Sequence, residues 1–154
     1  MKRNGRWLAL FVLVVTALPV AAQGNPFLGT WKLNTAKSKF VPGPGPQSLT
    51  RTVTASGNGV KYSFAGESAD GKAFGYSFVT YYDKTNAAIT GTGIPGGADA
   101  ISLKKVNPYK AEGTMWKGGH EVGKVVAEVS KDGMVTTVKV KGPEVNSETV
   151  YDKQ

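Results

Sequence analysis

Few residues in the chain have the types that chemistry requires. His120 is the sole histidine, set in Gly118-Gly119-His120-Glu121. A catalytic role for it needs a nucleophile or a partner carboxylate. Glu121 is adjacent, but neighbours along a strand point to opposite faces, so an exposed turn residue is the better reading. The chain has no cysteine, which excludes disulfides, thiolate metal sites and cysteine nucleophiles. One histidine without cysteine does not make a typical transition-metal site, and no metal or cofactor is expected. No serine sits in a G-x-S-x-G elbow. Gly91 to Gly96, GTGIPG, has the spacing of a dinucleotide fingerprint. That fingerprint works by placing pyrophosphate at the start of a helix, whereas here Pro95 and then a strand-like Ala100-Ile101-Ser102-Leu103 follow. Asp70, Asp83, Asp99 and Asp132 all fall in turn-like sequences, where aspartate serves the backbone. No enzyme signature is present.

What remains is an aromatic constellation. Val60 to Phe64 and Ala73 to Tyr82 alternate with period two, which puts Tyr62 and Phe64 on one face of the first run. Phe74, Tyr76 and Phe78 share one face of the second. Such a face either packs a core or lines a cavity. Tyrosine hydroxyls seek partners, so the set can orient a partly apolar ligand, and Met115 or Trp116 on a later strand can complete the wall.

The elements that must position these residues begin after a leader. Lys2, Arg3 and Arg6 precede an apolar run from Trp7 to Val20, and Val20-Ala21-Ala22 supplies small residues before Gln23. Residues 1–22 therefore read as a signal peptide and residues 23–154 as a single exported domain, periplasmic or extracellular, with no transmembrane segment after cleavage. Three of the 19 basic residues lie in that leader, so the mature chain carries 16 basic against 11 acidic residues, a balance of +5. The remaining cations are lysines spread at strand-like intervals, with Arg51 the one arginine left. Nucleic-acid recognition favours clustered arginine, so a nucleic-acid partner is not expected.

Asn34 to Gln47 holds three prolines alternating with glycines and leaves room for at most one helical turn, at Ala36 to Phe40, capped by Asn34 or Thr35. From Leu49 onward short β-like runs follow one another: Leu49 to Ala55, Val60 to Phe64, Ala73 to Tyr82, Ala88 to Thr90, Ala100 to Val106, Glu112 to Lys117, Glu121 to Ser130, Met134 to Lys141 and Ser147 to Asp152. Asp132-Gly133 and Gly118-Gly119 supply hairpin turns. Many short strands without crossover helices predict an all-β protein, a closed antiparallel up-and-down β-barrel of about 8–10 strands, in preference to a sandwich.

Phe27 to Leu33, FLGTWKL, and Thr149 to Lys153, TVYDK, resemble the first and last strands of fatty-acid-binding proteins. More broadly, Gly29-x-Trp31 at the start of the first strand resembles the calycin group, which also includes lipocalins, and exported bacterial lipocalin-like proteins are similar in size. The resemblance implies that Gly29 and Trp31 close one end of the barrel. In lipocalins a late arginine stacks on that tryptophan; here Lys153 or Arg51 would take its place. Two departures follow. The Arg-x-Tyr pair that holds a carboxylate in fatty-acid-binding proteins is Thr149-x-Tyr151 here, and the segment after the first strand is too short and proline-rich for their helical lid.

The expectation is a monomeric, non-catalytic barrel holding a small apolar or amphipathic ligand, neutral or weakly polar in preference to a free fatty acid because the last-strand clamp is missing. Its lumen is expected to be lined by Tyr62, Phe64, Phe74, Tyr76, Phe78, Met115 and Tyr151, and its mouth formed by Glu67 to Lys72 and Gly91 to Ala98. The alternative is a filled barrel acting through its outer surface, for example toward an anionic polymer.

Overall fold

The computed structural model describes residues 24–154, so the expected signal peptide lies outside the described residues. Twelve strands follow in order. They are β1 (Gly29–Leu33), β2 (Lys39–Val41), β3 (Ser48–Ser56), β4 (Gly59–Glu67), β5 (Ala73–Thr80), β6 (Asp83–Ala88), β7 (Thr90–Gly91), β8 (Ala100–Asn107), β9 (Lys110–Lys117), β10 (His120–Val129), β11 (Val135–Lys141) and β12 (Asn146–Lys153). All pairings are antiparallel, and most strands pair with their neighbours in sequence, as hairpins require.

The sheet curls until its first and last strands meet. Trp31 pairs with Lys153 and Leu33 with Tyr151, while the other edge of β1 pairs with β3. The wall is nearly closed at β5. There the chain leaves to pair with β8 as β6, then returns to β5 as β7, Ser77 facing Thr90 and Tyr76 facing Gly91. The architecture is the expected all-β barrel.

The strand count exceeds expectation in two places. The run read as Ala88 to Thr90 is two strands, β6 and β7, split because the chain changes partner at Ile89. Its first half, DKTNAA, has little β-propensity and is held in the ladder by β8 instead. The helical turn expected over Ala36 to Phe40 is a 3₁₀ turn at Thr35–Lys37, with the Asn34 side chain accepting from the Lys37 N–H. The chain then re-enters the sheet as β2 against β12, so Phe40 lies beside Ser147.

Alternating strand directions sort the connections into two ends. One end holds the N-terminal segment, the Gly57-Asn58 turn and the turns near Tyr81, Pro108 and Asp132. At this base Phe27, Trp31 and Val53 are shut off from solvent. The Trp31 Nε1–H donates to the Phe27 carbonyl at 3.0 Å, so the indole is buried without losing its hydrogen bond. Gly29 has φ +131°, and a Cβ there would sit 3.0 Å from the Lys153 side chain. That lysine places its ammonium 5.1 Å from the Trp31 ring, so the glycine permits the close approach that lets a cation cover the plug. Replacing Trp31 by Ala is expected to lower unfolding free energy by about 3–5 kcal/mol, measured by urea denaturation.

Candidate functional site

Above the Trp31 plug the barrel encloses a cavity of about 350 Å³, within the range of small-molecule sites. The inward faces of the strands make its wall. Tyr62 and Phe64 from β4, Phe74, Tyr76 and Phe78 from β5, Met115 from β9 and Tyr151 from β12 all line it. Cross-strand register explains the aromatic side: Tyr62 faces Phe78 and Phe64 faces Tyr76, and the rings stack at 5.0 and 4.5 Å. Of the pair Met115 and Trp116, Met115 points inward, and Trp116 turns outward to donate to the Ser102 hydroxyl.

The space is left by small residues across from the aromatic wall. Ala111 and Ala127 are direct partners on the inward face of β9 and β10, and Gly113 faces Val125. A Cβ on Gly113 would come within 1.9 Å of the Ser102 carbonyl, so no larger residue fits at that position. The mouth lies at the end opposite Trp31. Pro42 to Pro46, Gly93 to Gly96 and the turn at Glu144-Val145 form its rim, with Phe40 and Phe74 just inside. The Glu67 to Lys72 turn is at the same end, but among the described residues that line the cavity it contributes none.

Arg51 departs from its expected place. It lies opposite Trp31 in the β1–β3 ladder, yet Lys153, not Arg51, covers the indole. The Arg51 guanidinium lies instead against the lumen aromatics, 5.1 Å from the Tyr62 ring and 5.8 Å from the Tyr151 ring. The residue is 1% exposed, and its NH1 is buried without a hydrogen-bond partner among the described residues. Contacts with aromatic faces return roughly 0.5–2 kcal/mol. Removing a cation from water costs several kcal/mol. Among the described residues lining the cavity, Glu144 is the one acid, and it stands at the rim.

The polar network continues below Arg51. The Tyr62 and Tyr82 hydroxyls hydrogen-bond to each other. Lys105 sits over the Tyr82 and Phe27 rings and donates to Asn25 Oδ1 at 3.0 Å, which ties the N-terminal plug to β8. Thr136, opposite Tyr151, is fully buried with its hydroxyl unpartnered among the described residues.

His120 is exposed at the start of β10, and Gly91 to Gly96 runs into a short 3₁₀ turn and then strand β8, so neither builds the chemistry its sequence suggested. No group of three or more histidine, aspartate or glutamate side chains among the described residues is placed to hold a metal ion.

Several lining residues carry signals that the aromatic pattern overshadowed. Leu49, Arg51 and Val53 alternate on one face of β3, and that period alone puts the arginine inside. Ser147 and Thr149 share the face of Tyr151 by the same rule. Phe40, Ile94 and Val145 belong to loops or a three-residue strand, where no period exists to read.

No protein-family model matches the chain, and no curated protein sequence does. Among solved structures the barrel is similar to a Schistosoma mansoni fatty acid binding protein in complex with arachidonic acid. The TM-score is 0.54 at 18% identity, over 85% of this chain and 99% of that one. The likeness shows the class of fold, a small antiparallel β-barrel like that of the fatty acid binding protein.

Burial raises the pKa values of Tyr76, Tyr82 and Tyr151. Tyr151 is pushed up to about 12 by desolvation, with the Arg51 charge pulling the other way. Tyr76 and Tyr82 are pushed higher still, again mainly by desolvation. An unfolded tyrosine ionises near 10, so above that pH the unfolded chain sheds protons that the fold retains. The stability these groups contribute is full below about pH 10 and is lost as pH rises toward 12, by up to about 1.4 kcal/mol per pH unit for each tyrosine. Urea unfolding at stepped pH, alongside tyrosinate absorbance, is expected to show this fall, and Tyr151→Phe is expected to reduce its slope.

Proposed function

We propose that the protein is an exported, non-catalytic binder that holds one amphipathic molecule in its lumen with an acidic group against Arg51. The observation that carries the reading is the buried Arg51 guanidinium, its NH1 unpartnered among the described residues, at the deep end of a cavity whose wall is mostly apolar. A carboxylate, sulfonate or phosphate there would supply the missing acceptor, and hydrogen bonds to charged groups are the stronger kind. Aliphatic and aromatic walls would take the rest of the molecule, at about 25 cal/mol per Å² buried. The name of the similar structure, a fatty acid binding protein, fits this reading.

The neutral ligand expected from sequence is given up for a physical reason. That expectation followed from the lack of arginine on the last strand, but here the cation arrives from β3. The alternative of a filled barrel acting through its outer surface has less support. The interior holds about 350 Å³ of space, and exposed lysines such as Lys124 and Lys139 are paired with Glu121 and Glu148.

The test compares a long-chain carboxylic acid with its methyl ester. The acid is expected to bind at least tenfold tighter to the intact protein, and Arg51→Met is expected to remove that preference. Because the substitution also removes an unpaired buried charge, the empty variant is expected to unfold at equal or higher urea concentration than the parent. Equal binding of acid and ester by the parent protein would sink the reading.

A further inference from the structure

The lumen reading above leaves open what lies along the ligand beyond its acidic end. Strand β12 contributes Ser147, Thr149 and Tyr151 to the cavity wall. They alternate with Glu148 and Val150, so the three share one face of the strand. Two residues along a strand span about 7 Å. The side chains therefore form a polar row that starts at the Arg51–Tyr151 contact and rises toward the mouth in two steps of that length. The surfaces beside it are hydrocarbon: Val138 pairs with Thr149, and Val140 with Ser147. On the other walls Ile101, Leu103 and Val125 continue the apolar lining.

Thr149 is 7% exposed and lines the cavity, so its side chain stands in the lumen's interior and not in bulk solvent. An alkyl chain laid along β12 would take water from that hydroxyl and offer nothing in return, which is unfavourable for a buried polar group. A hydroxyl or carbonyl at the same height would pair with it. We propose that the ligand is an acid bearing at least one further hydroxyl or carbonyl group on the edge that faces β12, about 7 Å beyond the acid. Thr149 is then the residue that selects for it, and Ser147 offers a second contact nearer the mouth.

The test measures binding of octadecanoic acid and of monohydroxy isomers whose hydroxyl lies roughly 7 Å along the chain from the acid, at about carbon 6 or 7, to the full mature chain by competition calorimetry. At least one hydroxy isomer is expected to bind about fivefold tighter than octadecanoic acid, the gain of one neutral hydrogen bond. Thr149→Val keeps the side-chain shape and is expected to bring that ratio to one or below, with octadecanoic acid bound tighter than by the parent because its chain no longer strips water from a hydroxyl. Thr149→Ser, which keeps the hydroxyl, is expected to retain the preference, and it serves as the informative variant should the valine form fail to fold. The proposal is overturned if no isomer is preferred by the parent protein, or if the preference survives in Thr149→Val combined with Ser147→Ala. If neither octadecanoic acid nor any isomer binds, the acidic-ligand reading falls as well, and the two failures are thereby told apart.

Discussion

The seam between β1 and β12 turns a curled sheet into a nearly closed wall, and the interior depends on it. Only three residue pairs make the ladder, Trp31 with Lys153, Lys32 with Asp152 and Leu33 with Tyr151. So short a seam needs support on both faces. Inside, the buried Trp31 indole fills the base and hydrogen-bonds the Phe27 carbonyl, while Lys153 covers it across Gly29. Outside, the Asn34 side chain donates to Asp152 at 2.7 Å, and the Ser38 hydroxyl accepts from the Val150 N–H. An open sheet would leave Arg51 at a wet surface. Closure is what makes it a buried cation.

The two ends of the barrel are built on opposite principles. The base is sealed by aromatic packing and by a polar chain running from Tyr62 through Tyr82 to Lys105 and Asn25. Tyr82 and Lys84 hold left-handed backbone at φ 56° and 68°, which side-chain-bearing residues rarely adopt. The surrounding hydrogen bonds and ring contacts maintain that conformation and leave the base little freedom to open. The mouth, by contrast, is edged by proline- and glycine-rich loops with few side chains to fill the opening. The cavity accordingly opens at the mouth and not at the base.

Polarity inside the lumen is arranged just as unevenly. The cation lies deep, hydroxyls climb one strand, and hydrocarbon covers the rest. Under the proposed reading, such an arrangement favours one orientation of an amphipathic acid, because the reverse would leave Arg51 facing an alkyl end. The price of holding a cation inside the wall is a guanidinium NH1 without a hydrogen-bond partner among the described residues.

Much of the fold was legible because period two needs no partner to be read. The alternation in Val60 to Phe64 and Ala73 to Phe78 put Tyr62, Phe64, Phe74, Tyr76 and Phe78 on one side, and all five line the cavity. The same rule applies to Leu49-x-Arg51-x-Val53, where expectation instead sent the arginine to the Trp31 plug. The split of β6 from β7 and the return of β2 to the sheet were illegible, since each is held by pairing with a distant strand and not by local propensity. By itself the sequence determined strand class and facing, consequences of residue type and spacing along one strand, and its resemblance to fatty-acid-binding proteins and lipocalins implied the tryptophan plug. Only the tertiary structure decided that the lumen is hollow and that a cation stands in it. The hollow comes from small residues meeting across β9 and β10, and the cation's place from how β3 packs against β4 and β12, relations between strands that no single strand records.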